Sequence, residues 1–298
     1  MNKDIKIKLE NFRKLYTESS IQIPRSVVAN MHGKCTVSPK DCHTISLFGK
    51  DVNLPDMNHN FDCEMVHGNY WGPLDAEEYF ALDPAYRVLA ILKEDYILSD
   101  SFYDGDRGAH NKAAEFNTDS AINGNATYRT LFKMLGPIIH AIDQEATDPE
   151  AQMMIGHAAI MNLNPFPGLA MNGTATDGNK LKAWTPLVRG ILQEQLDFYD
   201  PRIILCGHVL INFLSDKKLF CKLVSGVAPK DFGYVFDRKI VNAIVVDCPI
   251  SGPIGLYKDN RGCTWIDEDH PNYYSSKDPE ILEEHVQCLA RALKQIGI

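Results

Sequence analysis

Apolar residues at Ile5, Leu9, Phe12 and Tyr16 recur every three to four positions. That is the period of a helix with one buried face, so a helix is predicted over residues 3–19. Residues 20–82 lack any such period. They break often at Gly and Pro and hold four of the ten histidines, at 32, 43, 59 and 67. This stretch reads as an irregular helical extension wrapped on a main domain, ending near Asp83-Pro84. From there the pattern alternates. Short apolar runs at Arg87–Leu92, Ala158–Leu163, Arg202–Cys206 and Ile240–Cys248 have the look of strands buried on both faces. Helical spacing occupies Ala126–Ile142, Lys180–Phe198, Val209–Lys218 and Pro279–Ile296, with Pro137 expected to kink or split the first of these. The last carries Pro at its first turn, where a missing N–H costs nothing.

Strands alternating with helices argue for an α/β domain. The expected architecture is a three-layer α/β/α domain over residues 83–298, with a short, mostly parallel central sheet of about four strands. Residues 1–82 form the extension. In such sheets ligands bind beyond the carboxyl ends of the strands. The polar residues to inspect are therefore Lys93-Glu94-Asp95-Tyr96, Asn162-Leu163-Asn164-Pro165, Gly207-His208 and the segment from Pro249 to His270-Pro271.

Composition narrows the field. The chain has 298 residues, 45% of them hydrophobic, and a net charge of -9. An acidic balance argues against broad, sequence-independent grip on nucleic acid, which depends on Lys and Arg meeting phosphates. A local basic groove remains compatible with it. Residues 82–120 hold four Lys/Arg against eight Asp/Glu, whereas residues 180–222 hold seven against four. A strand could track the second region, and the first would repel it. The N-terminus has no apolar core of a signal peptide, and no apolar run approaches the roughly 18 residues of a membrane span. Eight cysteines without a CxxC pair do not suggest a disulfide framework. A reduced, cytoplasmic protein is expected.

Several strand ends offer chemistry. Glu94 or Asp95 would orient or deprotonate a water if partly buried, though both also suit a solvated loop. The amide of Asn162 carries donor and acceptor, which a pyrimidine edge requires. Asn164 lies in Asn-x-Asn-Pro-Phe-Pro-Gly, a run equally suited to a turn. His208 follows a strand directly, at a strand-to-helix turn. His270, fixed by Pro271, would stabilise an anion developing on a leaving group. Two metal constellations compete. Asp100, Asp104, Asp106 and His110 lie within eleven residues and would suit a divalent ion in a metal-dependent hydrolase. Cys35, Cys42, His43, His59, Cys63 and His67 would suit zinc, but their spacings match no standard finger. Motifs of serine hydrolases, P-loop NTPases and dinucleotide-binding folds are absent.

Taken together, the strand ends resemble the uracil-DNA glycosylase superfamily over roughly residues 85–298. That family has G-Q-D-P-Y-H after its first core strand in its best-known branch. This chain reads Leu92-Lys93-Glu94-Asp95-Tyr96-Ile97, without the Gly and Pro. The family's second strand ends in an Asn that reads uracil, matched here by Asn162, and its H-P-S-P segment is matched by His270-Pro271-Asn272-Tyr273. The resemblance implies hydrolysis of an N-glycosidic bond in DNA repair, without metal or other cofactor. Glu94 would serve as the carboxylate near the sugar, with Asp95 as its substitute, and His270 as the donor to the departing base. Asn162 would read the base, and Tyr96 or Phe102 would stack on its face. Asn164, His208 and Tyr273 complete the expected base-binding set. The competing expectation is a protein of the same fold that binds a nucleobase or nucleotide without chemistry.

Overall fold

The computed structural model describes residues 1–30, 36–52, 62–93, 96–98, 126–143, 155–166, 168–170, 176–215, 233–249, 252–269, 271, 273 and 278–296. The chain forms two compact units: Met1–Trp71, Lys93–Lys112 and Asn162–Leu192 in one, and Gly72–Leu92, Ala113–Met161 and Gln193–Ile298 in the other.

The first unit opens with α1 (Lys3–Thr17), whose N-cap Asn2 accepts from the amide of Asp4 and which buries Phe12 and Tyr16. The chain then enters β1 (Ser20–Pro24), whose alternate residues Ile21 and Ile23 are buried. A short α2 (Arg25–Ala29) follows, then β2 (Thr44–Leu47), β3 (Lys50–Val52) and β4 (Cys63–His67). These make a four-stranded sheet in the order β3-β2-β1-β4, antiparallel at every pairing. Gly68 sits where the chain leaves β4. A Cβ there would lie 2.4 Å from the carbonyl oxygen of Tyr16, so only glycine allows the end of α1 to approach. The expected irregular helical extension is therefore corrected: its core is a sheet held by alternating Ile21, Ile23, Ile45, Leu47 and Val66.

The second unit begins with α3 (Ala76–Ala81), N-capped by Asp75, and β5 (Val88–Leu92), buried on both faces. Later come α4 (Ala126–Ile142), which contains Pro137 without being split by it, and β7 (Ala158–Asn162). Between β5 and β7 in sequence lies β6 (Tyr96–Leu98), which pairs in parallel with β8 (Gly168–Ala170) in the first unit. The helix α5 (Gly178–Tyr199) leads to β9 (Ile203–Gly207), another strand of fully buried residues. The helix predicted over Val209–Lys218 is described as a single turn, Leu210–Leu214. A hairpin of β10 (Tyr234–Val235) and β11 (Arg238–Cys248) then runs into β12 (Gly252–Asp259), β13 (Thr264–Glu268) and α6 (Pro279–Gln295).

The expected three-layer domain around a mostly parallel sheet of four strands is overturned. The sheet has seven strands in the order β10-β11-β12-β13-β9-β5-β7 and is mixed. β5, β9 and β13 are parallel neighbours, while β10 to β13 form an antiparallel meander on one side. The predicted strand Ile240–Cys248 belongs to that meander. Between the buried Ile240 and Cys248 its residues are exposed or half-buried, as an outer antiparallel strand allows and a central parallel strand forbids.

The join between meander and parallel strands depends on Asp259. Its Oδ1 accepts the backbone N–H groups of Arg261 and Cys263, each at 2.9 Å, and its Oδ2 accepts Trp265 Nε1 at 2.9 Å. Arg238, 2% exposed, donates to the same Oδ2 at 3.4 Å and to Asp197 Oδ1 at 2.9 Å. Removing one partner of a buried, multiply bonded charge costs about 3–5 kcal/mol. Asp259→Asn is therefore expected to lower unfolding stability by about that amount. A urea titration showing a loss below about 1 kcal/mol would refute this role.

Candidate functional site

In the first unit the site begins where β7 stops. The strand residues Ala158 to Met161 are buried, and Asn162 follows with 8% of its surface exposed. Among the described residues nothing donates to its Oδ1, which is buried. Leaving an amide oxygen in that state costs about 1–3 kcal/mol, and such an atom calls for an explanation. The neighbouring Asn164 is used differently. Its Oδ1 accepts the backbone N–H of Phe166 at 3.2 Å, and its own N–H donates to Lys93 O at 2.9 Å. That is the turn chemistry of the Asn-Pro-Phe segment. Phe166 in turn packs on Trp184 with ring centroids 5.3 Å apart, and Trp184 Nε1 donates to Val37 O at 2.7 Å. The end of β7 is thus held by packing and backbone bonds, with the Asn162 Oδ1 unspent.

In the second unit the carboxyl ends of β9 and β13 lie side by side, pairing Asp267 with Cys206 and Glu268 with Gly207. His208 follows β9 with φ +60, a left-handed conformation uncommon outside glycine. Its N–H donates to the carbonyls of Cys206 and Glu268, and its Nδ1 lies 3.5 Å from Asp269 Oδ1. Burial pushes the Asp267 carboxyl up to about 7, and the charges of Glu268 and Asp269 add to this while His208 opposes it. Glu268 turns to the other face, where its Oε2 is 2.9 Å from Nε2 of the buried His285 on α6. Burial disfavours the imidazolium, but the hydrogen bond and charge of Glu268, with Cys248, outweigh it and raise the His285 pKa. A proton-holding carboxyl and a buried His–Glu pair thus stand at adjacent residues of one strand.

Of the expected site residues, Glu94, Asp95, Phe102 and His270 lie outside the described residues, as does the Asp100–His110 segment. Tyr96 is placed by its backbone in β6, opposite Gly168. Pro271 is buried and Tyr273 is 48% exposed. Cys35 and His59 also lie outside the described residues. Among the described residues no group of three or more His, Cys, Asp or Glu is placed to hold a metal ion. Sequence reasoning missed Asp267, Glu268 and His285. Two signals were present: the Thr-Trp-Ile run that begins β13, and the position of His285 in the stripe of Leu282, Cys288 and Leu289 that α6 buries.

Comparison with protein-family models, with curated proteins and with solved structures finds no match. No described helix is long and apolar enough to cross a membrane.

Asp267 makes a prediction about pH. Its folded pKa, about 7, lies above that of a free aspartate, so the folded state binds more protons than the unfolded state between about pH 4 and 7. Stability from this group is present below about pH 4 and is lost as pH rises through about 7. Asp267→Asn should flatten that part of the profile and be more stable than wild type at about pH 8, by up to about 4 kcal/mol. Equal melting shifts for both proteins between about pH 5 and 8 would show that Asp267 titrates normally.

Proposed function

We propose that the chain is a glycosylase-like hydrolase that cleaves the N-glycosidic bond of uracil or a related base in DNA without a metal. The observation that carries this reading is the buried Oδ1 of Asn162, which nothing among the described residues satisfies. An amide at the end of a rigid, fully buried strand offers an acceptor beside a donor. That pair matches the N–H and C=O edge of uracil. An acceptor left bare in the fold is satisfied by such a ligand, which turns a structural cost into binding.

Cleavage builds positive charge on the sugar and negative charge on the base. In this reading Glu94, or Asp95 in its place, polarises the water that adds to the sugar carbon. His270 donates to the departing base, while Tyr96 and Phe102 stack on its face. His208 and Tyr273 complete the set, and Asn164 shapes the turn. The substrate is an unpaired or flipped base, because the acidic stretch at 82–120 repels the phosphates of a closely held duplex. The absence of a disulfide-like cysteine pattern supports a cytoplasmic setting. A second reading, base binding without cleavage, draws on Lys93 and Asp95 standing where the family has Gln and Pro.

Incubation with uracil-containing single-stranded DNA, followed by alkali to break abasic sites, tests the reading. Strand breaks are expected, with Glu94→Gln and His270→Ala each slowing them about 100- to 1000-fold. Asn162→Leu should lose a comparable factor in rate and raise the unfolding stability by about 1 kcal/mol, since the bare acceptor is gone. Uracil binding that Asn162→Leu abolishes, without strand breaks, would establish the second reading instead. Neither binding nor breaks would reject both.

A further inference from the structure

A cleft of about 250 Å³ lies in the second unit, between one face of the meander and the end of α6. A bulge makes that face. Ile240 pairs with Asp259, yet Asn242 pairs with Lys258, so Val241 is an extra residue in β11. In a regular ladder Asn242 would oppose Tyr257, which pairs with Trp265 on the other face. The added residue turns Asn242 and Ile244 over, beside Lys258 and Leu256. Lys258 pairs in turn with Thr264 on β13. Thr264 shares a face with Glu268, because side chains an even number of positions apart point the same way. Glu268 meets His285 of α6 on that face. Further along the helix, Gln295 and Ile296 close the cleft.

The polar groups of the cleft offer donors. Asn242 Oδ1 accepts the N–H of Ala243 at 2.9 Å, which leaves its NH2 group as the donor for a ligand. Lys258, exposed at the rim, carries donors alone. Thr264 is 1% exposed, and its Oγ1 is buried with no hydrogen-bond partner among the described residues. A hydroxyl in that state calls for a partner. The half-buried Ile244 and the buried Leu256 form an apolar floor. Two carbonyls at the end of α6 accept the N–H of Ile296, which blunts the negative end of the helix dipole. A cavity of about 150 Å³ takes a benzene ring, so this one has room for a ring and a short head group. We propose that the cleft is a binding site for a small organic acid. Its carboxylate meets Lys258, Asn242 and the Thr264 hydroxyl, and its apolar body lies on Ile244 and Leu256. One carboxylate oxygen is the acceptor that Thr264 lacks, and the charge of Lys258 selects the ionised acid over a neutral amide. The site is independent of the nucleobase reading, since all its residues belong to the meander and the end of α6.

Benzoate is the probe. Calorimetric titration of the full chain, with matched sodium chloride as the blank, is expected to give saturable one-to-one binding. Benzamide should bind at least about tenfold more weakly. Lys258→Met and Thr264→Val should each weaken benzoate binding about tenfold or more, with the circular dichroism spectrum unchanged. If Thr264→Val misfolds, Lys258→Met, which alters only an exposed side chain, still decides the matter. In amide NMR spectra benzoate should shift Ile244, Lys258 and Thr264 together. The proposal is overturned by the absence of saturable benzoate binding, by equal affinity for benzoate and benzamide, or by full affinity in Lys258→Met.

Discussion

One buried carboxylate sets the geometry of the larger unit. Asp259 stands at the turn where the antiparallel meander hands the chain to a strand that is parallel to β9. A tight turn leaves several N–H groups pointing inward, and each must find an acceptor. Asp259 takes those of Arg261 and Cys263 with one oxygen, and the Trp265 indole and Arg238 with the other. Binding Trp265 fixes the side-chain alternation of β13, because a slip of one residue would turn every side chain to the opposite face. Asp267 therefore shares a face with Trp265, and Glu268 meets His285 on the other. A buried ion pair gives little net stability, but one that decides register gives specificity.

That dependence explains which parts of the fold were legible. β5, β7 and β9 are visible in sequence because both faces are buried, so Val-Leu-Ala-Ile-Leu, Ala-Ala-Ile-Met and Ile-Ile-Leu-Cys are unbroken apolar runs. β11 is visible as a strand, but its partner and direction are not. Those come from β12, whose Gly252-Pro253 start and Gly255 read as a loop. β13 is five residues long and ends in two acids that only burial and pairing make compatible with a strand. The N-terminal sheet was obscured for a different reason. Its strands are three to five residues long, and β1 pairs with β4 across some forty positions, as in Ile21 with Val66. A local pattern carries no information about such a partner.

The candidate site divides along the same line. Asn162 could be picked out because it ends an unbroken apolar run, the pattern of a strand buried on both faces, and that position alone marks its amide. Asn164, two residues on, looks equal in sequence, and only the hydrogen bond to the Phe166 N–H separates a turn former from an unspent group. The Glu268–His285 pair was out of reach of sequence reasoning. Its partners lie on a strand and a helix and meet only through packing of α6 on the sheet.

Polar costs are found at both ends of the strands. At the amino-terminal ends of the strands Arg87 and Arg202 are spent, while Thr264 Oγ1 and Arg238 Nε are buried with no hydrogen-bond partner among the described residues. Arg87 donates to Leu82 O at 2.7 Å, reaches Tyr199 O, and lies over the rings of Tyr79 and Phe80. Arg202 donates to Gly262 O at 2.6 Å. At the carboxyl ends, β7 finishes in a bare amide oxygen, β9 runs into a histidine with left-handed backbone, and β13 carries a carboxyl that holds its proton near neutrality. Each of these costs free energy in the folded chain, and apolar or isosteric neutral residues would remove the cost at the first and third. In the proposed reading the bare Oδ1 of Asn162 is the one of these groups that a ligand's donor would satisfy.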